Sequence, residues 1–165
     1  MITVQQISSA DDIDALRELL RTFTSWAMSI DPGTEDAPTF DRLEEEIASL
    51  PGEYAPPLGC SLLARDNGTP VGCVAFAPRG ETIVELKRMF VVPEARGKGI
   101  GVELVGTLID HAHARKAERI FLDSYHTMVD AHHIYRSFGF VDVPAPPEFP
   151  EDLVDKVVFM ELDLR

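Results

Sequence analysis

A glycine-rich segment carries the strongest chemical signal in the sequence. Gly97, Gly99 and Gly101 follow an apolar run that stops at Pro93, and they open a stretch with helical spacing. A turn of this kind between a strand and a helix lets backbone N–H groups converge on an anion, and the helix dipole adds to the attraction. Glycine is needed where a side chain would block a phosphate or where φ is positive. The segment predicts a loop that binds a phosphate-bearing ligand.

Two well-known phosphate-binding motifs do not match this segment. In the P-loop pattern G-x-x-x-x-G-K-S/T, the first glycine and the hydroxyl residue would fall on Val92 and Gly99. The dinucleotide pattern G-x-G-x-x-G, started at Gly97 or Gly99, would end on Val102 or Leu104. The remaining interpretations are a different kind of anion site, or a turn that only closes a strand and helix unit.

The elements around the loop predict an α/β fold with a mixed sheet of about seven strands and about four helices. The Asn67-Gly68 pair between two apolar runs indicates a hairpin. The strand, helix, strand order after Thr82 predicts two parallel strands. Strands are expected at 2–7, 60–65, 71–77, 82–92, 119–125, 140–143 and 156–164, and helices from Ser9 or Asp11 to Met28 and at 40–50, 99–115 and 130–138.

Two motifs in this order resemble the GNAT superfamily of acyl-CoA-dependent N-acetyltransferases. Arg96-Gly97-Lys98-Gly99-Ile100-Gly101 is similar to the signature R/Q-x-x-G-x-G/A, whose amides bind the pyrophosphate of acetyl-CoA. Tyr135-Arg136-Ser137-Phe138-Gly139-Phe140 resembles the pattern Y-x-x-x-G-F, whose tyrosine lies near the cofactor sulfur. The order of elements also resembles that of the superfamily. The resemblance implies one acetyltransferase domain, residues 1–165, with direct transfer in a ternary complex. We expect no metal, because the two cysteines lack the spacing of a metal site and His111 and His113 lie two positions apart on a helix and face different directions.

The resemblance also implies which residues contact acetyl-CoA. The superfamily often holds the pantetheine with an asparagine, but the interval His126 to Ile134 has none. That contact is therefore expected from Ser124, Asp130 or a backbone group. The implied cofactor-binding residues are Met89, Phe90, Val91, Arg96, Gly97, Lys98, Gly99, Ile100 and Gly101.

Acetyl transfer to an amine needs a base and a proton donor. An alkyl ammonium with a pKa of about 10.4 is mostly protonated at neutral pH, so it must lose a proton before it attacks a thioester. The resemblance places Tyr135 near the departing sulfur, where its phenol suits the donor role; a tyrosine packed on a helix with its hydroxyl at the surface is the alternative. The resemblance assigns the base to Glu85, which precedes Arg96 by the separation found in the histone-modifying branch. A solvated strand glutamate is the alternative for Glu85, and the competing bases or substrate contacts are Asp123, His126, His132 and His133.

Composition narrows the class of protein. The net charge of −13 over 165 residues argues against a nucleic-acid partner, which would need clustered basic residues. Lys87, Arg88, Arg96 and Lys98 are a local exception that suggests a confined anion site. The sequence has no long apolar run of membrane-spanning length and no leader pattern. Its two cysteines, Cys60 and Cys73, are expected as reduced core thiols, so we expect a cytoplasmic protein away from membranes.

The acceptor amine is not identified by the sequence. Its pocket is expected among the helices of 11–50 and the loops 52–59 and 144–150, because loops on a rigid scaffold carry specificity. Acidic residues there favour a cationic amine, with a solvated surface as the alternative: Glu44, Glu45, Glu46, Glu148 and Glu151. The expected partners are acetyl-CoA and an amine, and a homodimer is a candidate assembly. The competing functions are an inactive CoA-binding sensor and transfer of a longer acyl group.

Overall fold

A seven-stranded mixed sheet runs through the protein, as seen in a computed structural model that describes residues 1–33, 40 and 42–165. The strand order is β1-β2-β3-β4-β5-β7-β6. Every pairing is antiparallel except that of β4 with β5. The strands are β1 Ile2–Gln6, β2 Cys60–Asp66, β3 Thr69–Pro78, β4 Ile83–Val91, β5 Arg119–Tyr125, β6 Val141–Asp142 and β7 Val157–Asp163.

The described residues form four α-helices, as the sequence predicted. The first begins after Ser9, whose side chain accepts a hydrogen bond from the Asp12 N–H while Asp12 caps in return. The second is shorter than the predicted helix at 40–50, and residue 41 of that range lies outside the described residues. The helices are α1 Ala10–Ile30, α2 Leu43–Ser49, α3 Ile100–Ala114 and α4 Val129–Ser137.

The hairpin of β2 and β3 closes through the turn that the sequence indicated. Asn67 and Gly68 both have positive φ angles, of 49° and 89°, which matches the backbone that an Asn-Gly pair adopts in a tight hairpin. The prediction of a hairpin at this point is confirmed. Its tip carries Asp66, which contacts the glycine-rich segment through Lys98.

The parallel pair β4 and β5 is joined along only part of its length. Pairing runs from Ile83 opposite Arg119 to Glu85 opposite Phe121 and stops there. Beyond that point β4 continues to Val91 beside β3, while β5 continues to Tyr125 beside β7. The two strands therefore separate, and a cleft opens in the sheet between them.

A bulge in β4 shapes one wall of this cleft. Ala75 of β3 lies opposite Lys87 and Cys73 lies opposite Phe90, so β4 has an extra residue there. Arg88 takes up the extra length with a φ of +62°, which is uncommon for a residue with a side chain. Because the extra residue reverses the alternation of side chains, the second half of β4 presents the opposite set of residues to each face.

Apolar clusters cover both faces of the sheet. α3 packs on one face, where Leu104, Val105 and Leu108 are fully buried. α1 and α2 pack on the other face, where Leu20, Phe23 and Ile47 are buried. α3 therefore lies on one side of the cleft, and α1 and α2 lie on the other side.

Candidate active site

A cavity of about 1280 Å³ occupies the cleft where β4 and β5 separate. Its walls come from both strands, from the starts of α3 and α4, and from the exposed edges of α1 and α2. Two ends of the cavity differ in character. The glycine-loop end is lined by Arg96, Gly97 and residues 99–102. The α2 end is lined by Arg42, Glu45, Glu46, Glu53, Glu85, Lys87, Arg88 and Asp123.

The glycine-loop end has the shape that a phosphate needs. Gly97 and Gly99 have φ angles of +82° and +80°, and a Cβ added to either would meet no atom within 4 Å. α3 starts directly afterwards, and its ladder of hydrogen bonds begins with the Glu103 N–H on the Gly99 carbonyl. The N–H groups ahead of Glu103 therefore have no acceptor within the helix. An anion placed there would be held by free amides and by the helix dipole, so the residues fit a pyrophosphate group.

Gly101 has a different role in the same segment. A Cβ at this position would lie 2.7 Å from Cδ1 of Ile134 and 3.0 Å from Cε of Met89. The absence of a side chain lets the start of α3 sit against α4 and β4. Gly101 therefore sets the close packing of the elements that form the glycine-loop end.

The side chain of Arg96 turns away from the loop and joins it to α1. Its Nε donates a hydrogen bond to the Val91 carbonyl at 2.9 Å. Its guanidinium carbon lies 4.2 Å from the ring centroid of Trp26, the only tryptophan of the sequence. Lys98, an expected cofactor contact, does not line the cavity, and its Nζ pairs with Asp66 at 2.9 Å.

The expected anion site of four clustered cations is not what the structure shows. Arg96 and Lys98 are engaged as just described, and the other two cations point into the α2 end. Arg88 is buried and pairs with Glu46, with an Nε to oxygen distance of 2.8 Å. Lys87 pairs with Glu53 at 3.0 Å. Lys87 also lies 3.9 Å from Glu46, so the two neighbouring cations of β4 share this carboxylate at the α2 end.

Tyr135 lies in the cavity wall on α4, close to the end of β5. Its ring is buried at 3% exposure and packs against Phe140 at 5.6 Å between centroids. Its hydroxyl has no hydrogen-bond partner among the residues that the structure describes. Burial raises the pKa of the phenol above its usual value, so the group stays protonated at neutral pH. Tyr135 therefore contributes a protonated phenol to the cavity wall.

Glu85 and Asp123 lie on the two separating strands. Glu85 is the last paired residue of β4, and its side chain is 22% exposed. Burial raises the pKa of the Glu85 carboxyl, and the nearby Asp123 charge adds to the effect. Burial also raises the pKa of Asp123. A carboxyl with a raised pKa is better matched to accepting a proton near neutral pH than an ordinary surface carboxylate.

The histidines considered as alternatives are arranged differently. His133 lines the cavity, but His126 and His132 do not. The His132 ring is buried, with its Nε2 2.9 Å from the hydroxyl of Ser124. Burial lowers the pKa of His132 to about 4, so its ring is neutral above that pH. Ser124 and Asp130, considered for the pantetheine contact, both line the cavity.

The two cysteines are free and buried on opposite faces of the sheet, as expected for core thiols. Burial raises the pKa of Cys60 and of Cys73 to about 12. A thiol in that state is a poor nucleophile at neutral pH. Neither cysteine lines the cavity.

Sequence reasoning missed two contributors to the site. Trp26 and Phe23 of α1 form an aromatic wall with Phe90, whose ring stacks on Phe23 at 4.9 Å. Glu46 belongs to an acidic run that was interpreted either as acceptor-binding or as a solvated surface, and its pairing with Arg88 was not foreseen. Nothing in the local sequence marks these contacts, because they join residues that are more than 40 positions apart.

With this geometry in place, the comparisons with known proteins identify the family. The family model described as "Acetyltransferase (GNAT) family" matches residues 14–140. An uncharacterised N-acetyltransferase of Schizosaccharomyces pombe is 31% identical over 166 aligned positions, covering 99% of this chain and 95% of the relative. The chain belongs to the GNAT family, and the resemblance seen in its two motifs is confirmed.

Solved structures show the same fold. The PaiA N-acetyltransferase from Thermoplasma acidophilum, in complex with coenzyme A, has a TM-score of 0.78 at 18% identity and 99% coverage of both chains. An acetyltransferase from Salmonella typhimurium with its cofactor acetyl-CoA has a TM-score of 0.66 at 19% identity, covering 99% of this chain and 94% of that one. The shared fold agrees with the family match, which makes this protein an acetyltransferase of the GNAT family.

No helix of residues 1–33, 40 and 42–165 is long and apolar enough to span a membrane. Within the same residues, no cluster of three or more histidine, cysteine or acidic side chains has the arrangement of a metal site.

His132 generates a testable dependence of stability on pH. Its pKa is about 4 in the folded protein and 6.5 in its ordinary state, so between these values the unfolded chain binds more protons. The free energy of unfolding contributed by His132 is then present above about pH 6.5 and is lost as the pH falls toward 4. We expect His132→Gln to make the slope of unfolding free energy against pH less positive in this window. Urea unfolding at several pH values measures it.

A matched variant separates this effect from a general loss of stability. His133→Gln changes the exposed neighbour of His132 and should leave the slope as it is in the wild type. Equal slopes in His132→Gln and wild type would show that the buried ring does not titrate as described.

Proposed function

We propose that this protein transfers the acetyl group of acetyl-CoA to a primary amine by direct attack within a ternary complex. The single observation that carries the proposal is the shared cavity. Glu85, Tyr135 and the glycine loop line one continuous space between the separated strands. A donor, a proton acceptor and an anion-binding loop in one cavity are the parts that this reaction needs.

The glycine loop would hold the pyrophosphate of acetyl-CoA. Its backbone N–H groups have no acceptor within the helix, and the space beside the α-carbons of Gly97 and Gly99 is empty of other atoms of the described residues, which supports this role. Acetyl-CoA brings an acetyl thioester, which supplies an activated carbonyl. The backbone of Met89, Phe90 and Val91 borders the path along β4, because pairing with β5 has ended before these residues. The unpaired edge of β4 offers N–H groups toward the separated strand, and such groups stabilise a carbonyl oxygen as it gains charge.

Glu85 and Tyr135 would handle the protons. Glu85 accepts the ammonium proton, directly or through water, and its raised pKa supports this role. Tyr135 donates a proton to the departing sulfur. Its phenol stays protonated, and its hydroxyl is not occupied by a hydrogen bond within the described residues.

A turnover assay tests the function itself. Release of free CoA from acetyl-CoA, followed with a thiol reagent, is expected with at least one class in a panel of alkyl amines, polyamines, amino acids, aminoglycosides and peptides. Mass spectrometry of the product should show a single added acetyl group. Binding of acetyl-CoA with no amine-dependent CoA release across the panel would favour a CoA-binding sensor instead.

Gly99 tests the cofactor loop. Acetyl-CoA that binds only the folded protein should raise the melting temperature. Gly99→Val places a branched side chain into the cavity at a positive φ, so we expect the acetyl-CoA-induced shift to disappear. Gly68→Ala is the control, because Gly68 also has a positive φ and open surroundings but lies in the β2–β3 turn. The shift should persist there, and an unchanged shift in Gly99→Val would move the cofactor site elsewhere.

Tyr135→Phe tests the proton donor. The variant keeps the ring that packs on Phe140 and removes only the hydroxyl, so kcat should fall by roughly 10- to 1000-fold with little change in acetyl-CoA affinity. Tyr54→Phe removes a buried hydroxyl that does not line the cavity, and should retain wild-type kcat. Stopped assays at saturating substrates measure both. Wild-type turnover in Tyr135→Phe would exclude the donor role.

A further inference from the structure

The α2 end of the cavity contains more acidic than basic side chains. Its carboxylates outnumber its cations by five to three among the described residues. The acidic residues are Glu45, Glu46, Glu53, Glu85 and Asp123, and the basic residues are Arg42, Lys87 and Arg88.

Each of these cations already has a carboxylate partner inside the cavity wall. Arg42 pairs with Glu45 at 2.6 Å. The remaining pairs, Lys87 with Glu53 and Arg88 with Glu46, were described above. These ion pairs neutralise the charges of Glu45, Glu46 and Glu53. Glu85 and Asp123 are the two carboxylates of the α2 end that have no cation partner among the described residues of the cavity wall.

Strand register places these two carboxylates on the same face of the sheet. Glu85 lies opposite Phe121, and Asp123 follows Phe121 by two positions on β5. Both side chains line the cavity just where the strands begin to separate. Arg79, which directly follows β3, lies 3.4 Å from Glu85 and also pairs with Glu148 at 3.5 Å. The Asp123 side chain makes no ion pair or hydrogen bond with any residue within the described ranges.

We propose that Glu85 and Asp123 act as a pair that receives the acceptor as its ammonium ion and rejects amines that carry a carboxylate beside the amino group. The proposal rests on the acetyltransferase function proposed above and names its acceptor class. Asp123 binds the ammonium group, and Glu85 accepts its proton. An α-amino acid would bring its own carboxylate against this pair. Like charges at such a short distance repel each other strongly.

The electrostatic surroundings support this selectivity. Lys87, Arg79 and Arg88 are the cations that act on Asp123, but burial outweighs them and raises its pKa. Lys87 and Arg79 act on Glu85, and there Asp123 acts against them. β7 places the uncharged Phe159 opposite Asp123. A cation that enters between the carboxylates would therefore relieve both the repulsion and the loss of hydration.

Each proton that leaves the acceptor nitrogen has a defined destination. The Glu85 and Asp123 pair takes one proton from the ammonium ion and returns it to solvent. Tyr135 gives its proton to the sulfur as the carbon–sulfur bond breaks and the new carbon–nitrogen bond forms. The second proton of the nitrogen restores the phenol. The products are the amide, CoA with a free thiol and one proton.

Acceptor pairs that differ by one carboxylate test the selectivity. Suitable pairs are tyramine and tyrosine, histamine and histidine, cadaverine and lysine, and agmatine and arginine. In each pair that supports turnover, kcat/KM for the amine should exceed that for its amino acid by at least about 10-fold. Asp123→Asn should reduce this ratio by about 10-fold, mainly through a higher KM for the amine. A wild-type preference for the amino acids would overturn the proposal.

The pH dependence of kcat/KM tests the pairing of the two carboxylates. Asp123→Asn removes the negative charge that raises the pKa of Glu85, so the rise of kcat/KM with pH should move to lower pH. Glu85→Gln should abolish that rise and leave only the ionisation of the amine. Asp14→Asn, on the exposed surface of α1, removes one charge away from the cavity and should leave the profile unchanged.

The outcomes separate this proposal from the function on which it rests. If Asp123→Asn keeps the wild-type profile and acceptor ratio while turnover persists, the carboxylate pair is wrong and the acetyltransferase function stands. If no amine supports turnover in the wild type, both are wrong. The melting-temperature shift with acetyl-CoA shows that each variant is folded. Asp123→Ser replaces Asp123→Asn in the same assays if the asparagine variant fails that check.

Discussion

The separation of β4 from β5 is the constraint on which the site depends. Parallel pairing stops at Glu85, yet each strand stays hydrogen-bonded to its other neighbour beyond that point. The parts proposed for the reaction, Glu85, Tyr135 and the glycine loop, all border this gap. The glycine loop and α3 follow the end of β4, and α4 with Tyr135 follows the end of β5. A sheet that stayed paired would fill this space with its own backbone hydrogen bonds and leave no path between the two strands.

The bulge at Arg88 adds a second constraint. It reverses the alternation of β4, so Phe90 faces α1 while Met89 and Val91 face the α3 side. It also turns the buried Arg88 guanidinium toward Glu46 of α2. A buried charge needs a partner, because its loss of hydration is otherwise uncompensated. The ion pair therefore fixes α2 against β4 and gives the cavity its acidic end.

Local sequence signals predicted the parts of the fold that local chemistry decides. The Asn67-Gly68 turn, the Ser9 cap and the glycine segment before α3 depend on residues only a few positions apart, and each appears where it was expected. The strand and helix order followed from the periodicity of apolar residues for the same reason. The bulge, the ion pair of Glu46 with Arg88 and the stacking of Arg96 on Trp26 were not predicted, because they depend on how distant elements meet.

This division also explains why the two ends of the cavity differ in how well the sequence describes them. At the glycine-loop end, the backbone supplies the contacts, and backbone geometry is controlled by the spacing of Gly97 and Gly99. At the α2 end, side chains from α2, β4 and β5 supply the contacts, and their charges cancel in pairs. Only the pairing of these side chains in the fold distinguishes the carboxylates that have a cation partner from Asp123, which has none among the described residues. The charge of an acidic run such as 44–46 therefore indicates little about a ligand until its partners in the fold are known. Glu46 forms an ion pair with Arg88, whereas Asp123, an isolated acidic residue in the sequence, lines the cavity without an ion-pair partner among the described residues.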